Sequence, residues 1–228
     1  MIIDCVSDLH GYYPELEGGD LLIVAGDLTA RDKYWEYQEF FSWIYEQRYS
    51  KKIVIGGNHD NFLTKTNENY EIRRIAGYSK EDIELEYLCD SGTEFEGLKI
   101  WGSPWTKTFP GMNPHCKAFT FDMEDELYDK FVQIPKGLDI LITHGPAYGI
   151  LDGVPLEDGT LHHCGSKALY NWLKYVDRPR YHIFGHIHEA YGQEEYFPTY
   201  LDNMMQSINC SHVNEFYEPV NDPIRIEL

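Results

Sequence analysis

Short apolar runs punctuate the chain at residues 2–6, 21–25, 53–55, 98–101, 138–143 and 181–184. They are rich in Ile and Val and often continuous rather than alternating, the pattern of strands buried on both faces. Between them the spacing predicts helices over 33–49, which is rich in aromatics, over 123–133 with Asp122 as its cap, and over 166–176 after Gly165. A weaker periodicity covers 67–76. Residues 190–228 read as short strands interrupted by Pro198, Pro219 and Pro223. Strands alternating with helices and then a strand-rich end predict a layered α/β domain. No repeat, low-complexity tract or Gly/Ser linker marks a boundary, so residues 1–228 are read as one domain, against a soft prior of roughly 150 residues per domain. The stretch 102–119, crowded with Pro, Gly and aromatics, fits neither period and is predicted to be a functional rim loop.

The polar residues that follow these runs carry the chemistry. Asp8 and His10 follow the first, Asp27 the second, and Asn58, His59 and Asp60 the third. His144 follows the run ending at 143, and His186 and His188 follow the run ending at 184. In open α/β sheets, sites form beyond the carboxyl ends of the strands, so these side chains are expected to converge. Gly26, Gly57 and Gly185 precede them, and Gly145 follows His144; they are read as letting the backbone turn sharply on leaving the sheet. Oxygen and imidazole donors without thiolate suit Mn, Fe, Zn, Ni or Co. Seven candidate ligands exceed what one tetrahedral ion needs, so two metals sharing a carboxylate are the economical reading, the usual device for in-line displacement at phosphorus.

Composition changes this picture little. The chain has 38 acidic and 19 basic side chains, a formal charge of −19, which argues against a partner that is a nucleic-acid polymer. It leaves room for a small phosphate ester: two divalent ions, two carboxylates and one hydroxide sum to about +1 at the site. No run approaches the ~18 apolar residues of a membrane span, and no signal peptide is visible at the start, so a cytoplasmic location is expected. Five scattered cysteines without a C-x-x-C pair fit a reduced compartment and small buried hydrophobes.

The blocks Asp8-Leu9-His10, Gly26-Asp27, Gly57-Asn58-His59-Asp60, His144 and Gly185-His186-Ile187-His188 resemble the calcineurin-like metallophosphoesterases, whose pattern runs D-x-H, G-D, G-N-H-D/E, H and G-H-x-H. All five are present in order. The stretches GLKIWGSPWT (97–106), HGPAYGILD (144–152) and HIFGHIHEAYG (182–192) further resemble the small metallophosphoesterase-domain-containing phosphodiesterases. The resemblance is thinnest over 61–87, read as a local elaboration, and in the C-terminal tail. It implies a two-sheet β-sandwich flanked by helices. It also implies two divalent or mixed-valence ions, manganese first among them. Asp8, His10 and His188 would hold one ion, Asn58, His144 and His186 the other, and Asp27 would bridge. His59 would serve as acid or charge stabiliser beside the leaving group, with Asp60 orienting it or holding the loop. A metal-bridging hydroxide would attack phosphorus in line.

Two further residues are candidates for substrate contact. His163 precedes a predicted helix whose N-terminus could meet a phosphate, and Trp105, with Phe109, Tyr148 and Tyr191, could stack a base. His115, His162, His182 and His212 are read as structural. The expected activity is hydrolysis of small phosphodiesters such as cyclic nucleotides. The rivals are a phosphomonoesterase or dinucleotide hydrolase with the same metal core, and a nucleotide-binding scaffold with little turnover.

Overall fold

The computed structural model describes residues 1–65, 85–108, 112–196 and 204–228. The helix predicted over 67–76 and the aromatic Phe109 lie outside the described residues. In chain order the strands are β1 (Ile2–Val6), β2 (Gly19–Ala25), β3 (Tyr49–Ile55), β4 (Leu85–Tyr87), β5 (Ser91–Phe95), β6 (Leu98–Ser103), β7 (Thr106–Lys107) and β8 (Thr120–Phe121). They continue as β9 (Ile140–Thr143), β10 (Gly153–Pro155), β11 (Leu161–His163), β12 (Tyr181–Phe184), β13 (Gly192–Tyr196), β14 (Met205–Asn209) and β15 (Ile224–Glu227). The helices are α1 (Tyr34–Glu46), α2 (Glu124–Phe131) and α3 (Lys167–Tyr175).

Two sheets form the body, in the orders β15-β1-β2-β3-β4 and β13-β14-β12-β9-β6-β5. Pairing is parallel from β1 through β4, and parallel again from β6 through β9 and β12 to β14. The edge strands β15, β5 and β13 run antiparallel to their neighbours. Strand alternation supplies both layers of core. Ile3, Cys5, Leu21, Ile23, Ile53 and Ile55 of the first sheet pack with Ile100, Ile140, Ile142, Ile183 and Ile208 of the second. Each fully buried Ile there contributes about 1.5–3 kcal/mol of transfer free energy. The other faces are equally apolar, which is why these strands read as continuous runs. Leu22, Val24 and Val54 meet Tyr37, Phe40, Phe41 and Ile44 of α1; Leu141, Phe184 and Met205 meet Leu127 and Phe131 of α2 and Leu169, Trp172 and Leu173 of α3. The result is a two-sheet β-sandwich with helices on both outer faces.

The two sheets are joined where β1 and β14 end. Ser7 N–H donates to the Cys210 carbonyl at 2.8 Å, and His212 N–H donates to the Ser7 carbonyl at 2.8 Å. This seam aligns the carboxyl ends of both parallel sets along one edge of the sandwich.

The helix ends depart from the sequence reading. The first helix stops at Glu46 rather than 49, because Tyr49 already pairs with Gly19 in the first sheet and gives its hydroxyl to buried Asp4. Asp122 is not the cap of α2; its carboxylate accepts from the Thr108 hydroxyl, and Met123 holds the cap position without a side-chain hydrogen bond. Glu124 instead crosses to α3 and accepts from the backbone N–H groups of Lys167 (3.1 Å) and Ala168 (2.9 Å) and from the Ser166 hydroxyl. Burial works to raise its carboxyl, but these donors and Lys107 outweigh that and hold it below the usual range. Among the described residues no helix is long and apolar enough to cross a membrane.

A charged cap that ties two helices together should be worth about 1–2 kcal/mol. Glu124→Ala is therefore expected to lower the unfolding free energy by that amount, read as a lower urea midpoint at an unchanged denaturant slope. An unaltered midpoint would remove this tie from the stabilising contacts.

Candidate metal centre

The strand exits place all seven candidate ligands at the shared edge. Asp8, His10, Asp27, Asn58, His144 and His186 are buried, and His188 is nearly so. Ligand atoms of Asp8, His10 and His188 lie within 4.8 Å of one another, as do those of Asp8, Asp27 and His144 and those of His10, Asp27 and His59. Asp27 divides its oxygens: Oδ2 faces His10 Nε2 (3.7 Å) and His59 Nε2 (3.9 Å), while Oδ1 faces His144 Nε2 (3.4 Å). Asn58 Oδ1 lies 2.9 Å from His144 Nε2, and the His144 and His186 rings are 4.9 Å apart.

Backbone groups fix the orientation of these side chains. His144 donates from Nδ1 to the Ala25 carbonyl at 2.9 Å, and His188 from Nδ1 to the Asn214 carbonyl at 3.1 Å. Each bond leaves Nε2 free to act as a ligand. Asp8 Oδ2 accepts from His186 N–H (2.9 Å) and the Ser211 hydroxyl (2.8 Å), which leaves Oδ1 facing His188 at 3.4 Å. Asn58 donates from Nδ2 to the Cys116 carbonyl (3.3 Å), so the rim stretch 112–119 holds a candidate ligand. Neither ring nitrogen of buried His10 makes a hydrogen bond. An imidazole stripped of water and given no partner is costly unless something binds it, and a divalent cation fits that position.

The glycines serve space as much as turning. Gly26 has a φ of +100°, where glycine is strongly favoured. Gly57 and Gly185 do not fall in the left-handed region; a Cβ on Gly57 would collide with Asp27 Oδ1, and one on Gly185 with Asp8 Oδ2. By contrast Asp8, His10, Asp27 and His186 themselves carry positive φ, between 45° and 71°, backbone strain that clusters at functional sites.

Charge is unevenly held. Burial works to raise the Asp8 and Asp27 carboxyls, but the neighbouring imidazoles, His188 for Asp8 and His144 for Asp27 foremost, keep both well below the usual range. Burial pushes His10 and His186 down to about 3, so both stay neutral. Burial also disfavours charge on His144, yet Asp27 pushes it up to about 9; Asp8 likewise raises His188 against its burial.

The remaining candidates fall into two groups. His59 borders the cluster, its ring 4.5 Å from that of His10 and its Nδ1 donating to the Ala30 carbonyl at 3.1 Å. Asp60 holds loops rather than the His59 ring: it accepts from the N–H groups of Gly57 (2.9 Å), Leu28 (3.1 Å) and Thr29 (3.2 Å) and from the Thr29 hydroxyl. Burial and the charge of Asp27 raise it to about 7. Trp105 is committed to packing, with its indole N–H on Asp90 (2.7 Å), its ring stacked on Phe121 and Lys130 Nζ 4.0 Å from its centroid. His163 is exposed and bonded to Asp152 (2.6 Å), and the helix end after it is already capped by Glu124. Neither Trp105 nor His163 is among the residues lining the cleft over the cluster, whereas His162, read as structural, is. The sequence reading also missed Ser211, Asn214 and Tyr217, which no periodicity marks.

With a donor cluster of this kind at the edge of a two-sheet sandwich, the family is clear: the chain belongs to the calcineurin-like phosphoesterases, which match it over residues 1–190. Metallophosphoesterase domain-containing protein 1 of Homo sapiens is 35% identical over 98% of this chain and 70% of its own length. A UPF0046 protein of Caenorhabditis elegans is 32% identical over 98% of this chain and 59% of that protein. A solved crystal structure with 15% identity superposes with a TM-score of 0.63, covering 94% of this chain and 91% of that one, which is a likeness of fold. Family and donor set together point to a divalent metal centre.

Metal binding should then displace a proton, because Asp27 raises His144 to about 9 and an imidazole must give up its ring proton to become a ligand. Calorimetry with Mn²⁺ at neutral pH, in buffers of different ionisation enthalpy, is expected to show release of about one proton. Affinity should fall as the pH is lowered. Binding without proton release would contradict the charge held on His144.

Proposed function

We propose that the chain is a metal-dependent phosphodiesterase that hydrolyses small phosphodiesters, cyclic nucleotides among them. The observation that carries this reading is the division of the Asp27 oxygens between two groups of donors, the arrangement a bridging carboxylate needs. Asp8, His10 and His188 would hold one ion and Asn58, His144 and His186 the other; the donors suit Mn, Fe, Zn, Ni or Co, and manganese is put first on the family resemblance alone. Bound divalent ions supply Lewis acidity toward the phosphoryl oxygens and activation of water.

The protein's own part is positioning and proton transfer. The Ala25 and Asn214 carbonyls set the donor tautomers. The bond from His59 Nδ1 to Ala30 turns Nε2 toward the cluster, where the protonated ring can deliver a proton to a departing oxygen. Asp60 keeps the exits of β2 and β3 in register with each other. The preference for diesters is supported by the resemblance of 97–106, 144–152 and 182–192 to the small phosphodiesterases.

The decisive experiment compares a nitrophenyl phosphodiester with its monoester on metal-stripped protein refilled with Mn, Ni, Co, Zn or Mg. Metal-restored turnover of the diester well above the monoester is expected. Faster monoester turnover would keep the metal core and overturn the substrate class, while no turnover with both ions bound would favour the scaffold reading. Asn58→Ala is expected to cost one of the pair of ions in metal analysis, together with activity. A fully metallated, fully active variant would overturn its assignment. His59→Ala should keep both ions yet slow esters with poor leaving groups by about 10²–10⁴-fold and those with good ones much less. Equal losses would argue against an acid role.

A further inference from the structure

The donor cluster opens into a cleft of about 500 Å³. Beyond the donors its described walls include apolar Val154, Leu156 and Met112 and acidic Glu189 and Glu215. No Lys or Arg is among the described residues that line it. A cleft that grips several anionic groups normally offers guanidinium or ammonium donors to them. Here two carboxylates, Glu189 and Glu215, stand on the wall instead.

The outer wall is built, not incidental. Glu215 and Tyr217 share one turn, in which Asn214 Oδ1 accepts from the N–H groups of Phe216 (3.0 Å) and Glu218 (2.9 Å). The carbonyl of the same Asn214 orients His188, so the turn is tied to the cluster. Tyr217 has a φ of +59°, a conformation that bulky side chains rarely adopt. Its ring stands 4.9 Å from that of His10 and 5.2 Å from that of His188, and it is 46% exposed. It thus places an aromatic ring directly beside the donor cluster. Glu189 follows His188 directly in sequence. Carboxylates in a cleft with apolar walls repel over several ångströms with less screening than on an open surface.

We propose that this outer cleft selects substrates by charge: it takes a phosphodiester monoanion whose organic arm is uncharged or cationic and has an apolar face for Tyr217, and it rejects esters with further anionic groups on that arm. Glu189 and Glu215 are the specificity-determining pair. The proposal rests on the phosphodiesterase reading above and deepens it, since it divides diesters among themselves.

The test uses thymidine 5′-(4-nitrophenyl phosphate) and its 3′-phosphorylated counterpart with the Mn²⁺-loaded full chain. The scissile bond and leaving group are the same in both, and only the remote charge differs. The uncharged-arm ester is expected to have about a tenfold higher kcat/KM at low ionic strength, carried by KM, with the ratio shrinking as salt is added. The double variant Glu189→Gln/Glu215→Gln, which keeps side-chain size at two exposed positions, should narrow the ratio about fivefold and lose most of its salt dependence. Equal kcat/KM for the two esters on the unaltered protein, or a ratio the double variant leaves unchanged, would overturn the proposal. If neither ester is turned over, the phosphodiesterase reading fails separately. The dissociation constants of the same two esters, measured by calorimetry, then decide the charge selection: weaker binding of the phosphorylated ester that the double variant evens out supports it, and equal binding overturns it.

Discussion

Two carboxylates, Asp8 and Asp27, are buried side by side at the edge of the sandwich, and most of what surrounds them answers that constraint. Buried like charges are tolerated only with close compensation. Each carboxylate therefore has one oxygen engaged by fixed donors: His186 N–H and the Ser211 hydroxyl for Asp8, and His59 N–H for Asp27. Imidazoles face the rest. Positive φ at four of the donor residues is the strain this arrangement carries, of order 1–3 kcal/mol each. A doubly covered, tightly packed sandwich is what allows the edge to hold it.

The donors were legible in the sequence because each stands just past a run that is buried on both faces. Parallel register then does the rest: Ile23 pairs with Cys5 on one side and with Ile53 on the other, so the residues leaving β1, β2 and β3 exit together. Helix ends were less legible, since they are decided by distant partners. Tyr49 looks like the end of an aromatic helix until Asp4, 45 residues away, claims its hydroxyl. Asp122 has the right chemistry for a cap, but Thr108 holds it and Glu124 caps a different helix. Trp105 and His163 are likewise engaged by partners that no spacing in the sequence marks, Asp90 and Asp152. The turn at 214–217 was invisible because its importance is wholly a matter of tertiary contact.

Backbone carbonyls, rather than side chains, orient three of the imidazoles: Ala25 for His144, Ala30 for His59 and Asn214 for His188. Ring orientation at these positions is thus set by the path of the chain. The identity of the carbonyl-bearing residue matters less than the loop geometry that presents it, which couples the site to the sandwich.

The seam between β1 and β14 has a consequence for how the molecule comes into being. Ser211 meets Asp8 across 203 residues of sequence, and Asn214 completes His188 from the same late stretch. A chain still lacking this stretch holds the candidate donors but not the Ser211 hydroxyl and Asn214 carbonyl that aim Asp8 and His188. Contacts of such sequence separation form slowly, so the geometry around Asp8 and His188 is completed only when the last strands of a newly made chain have docked.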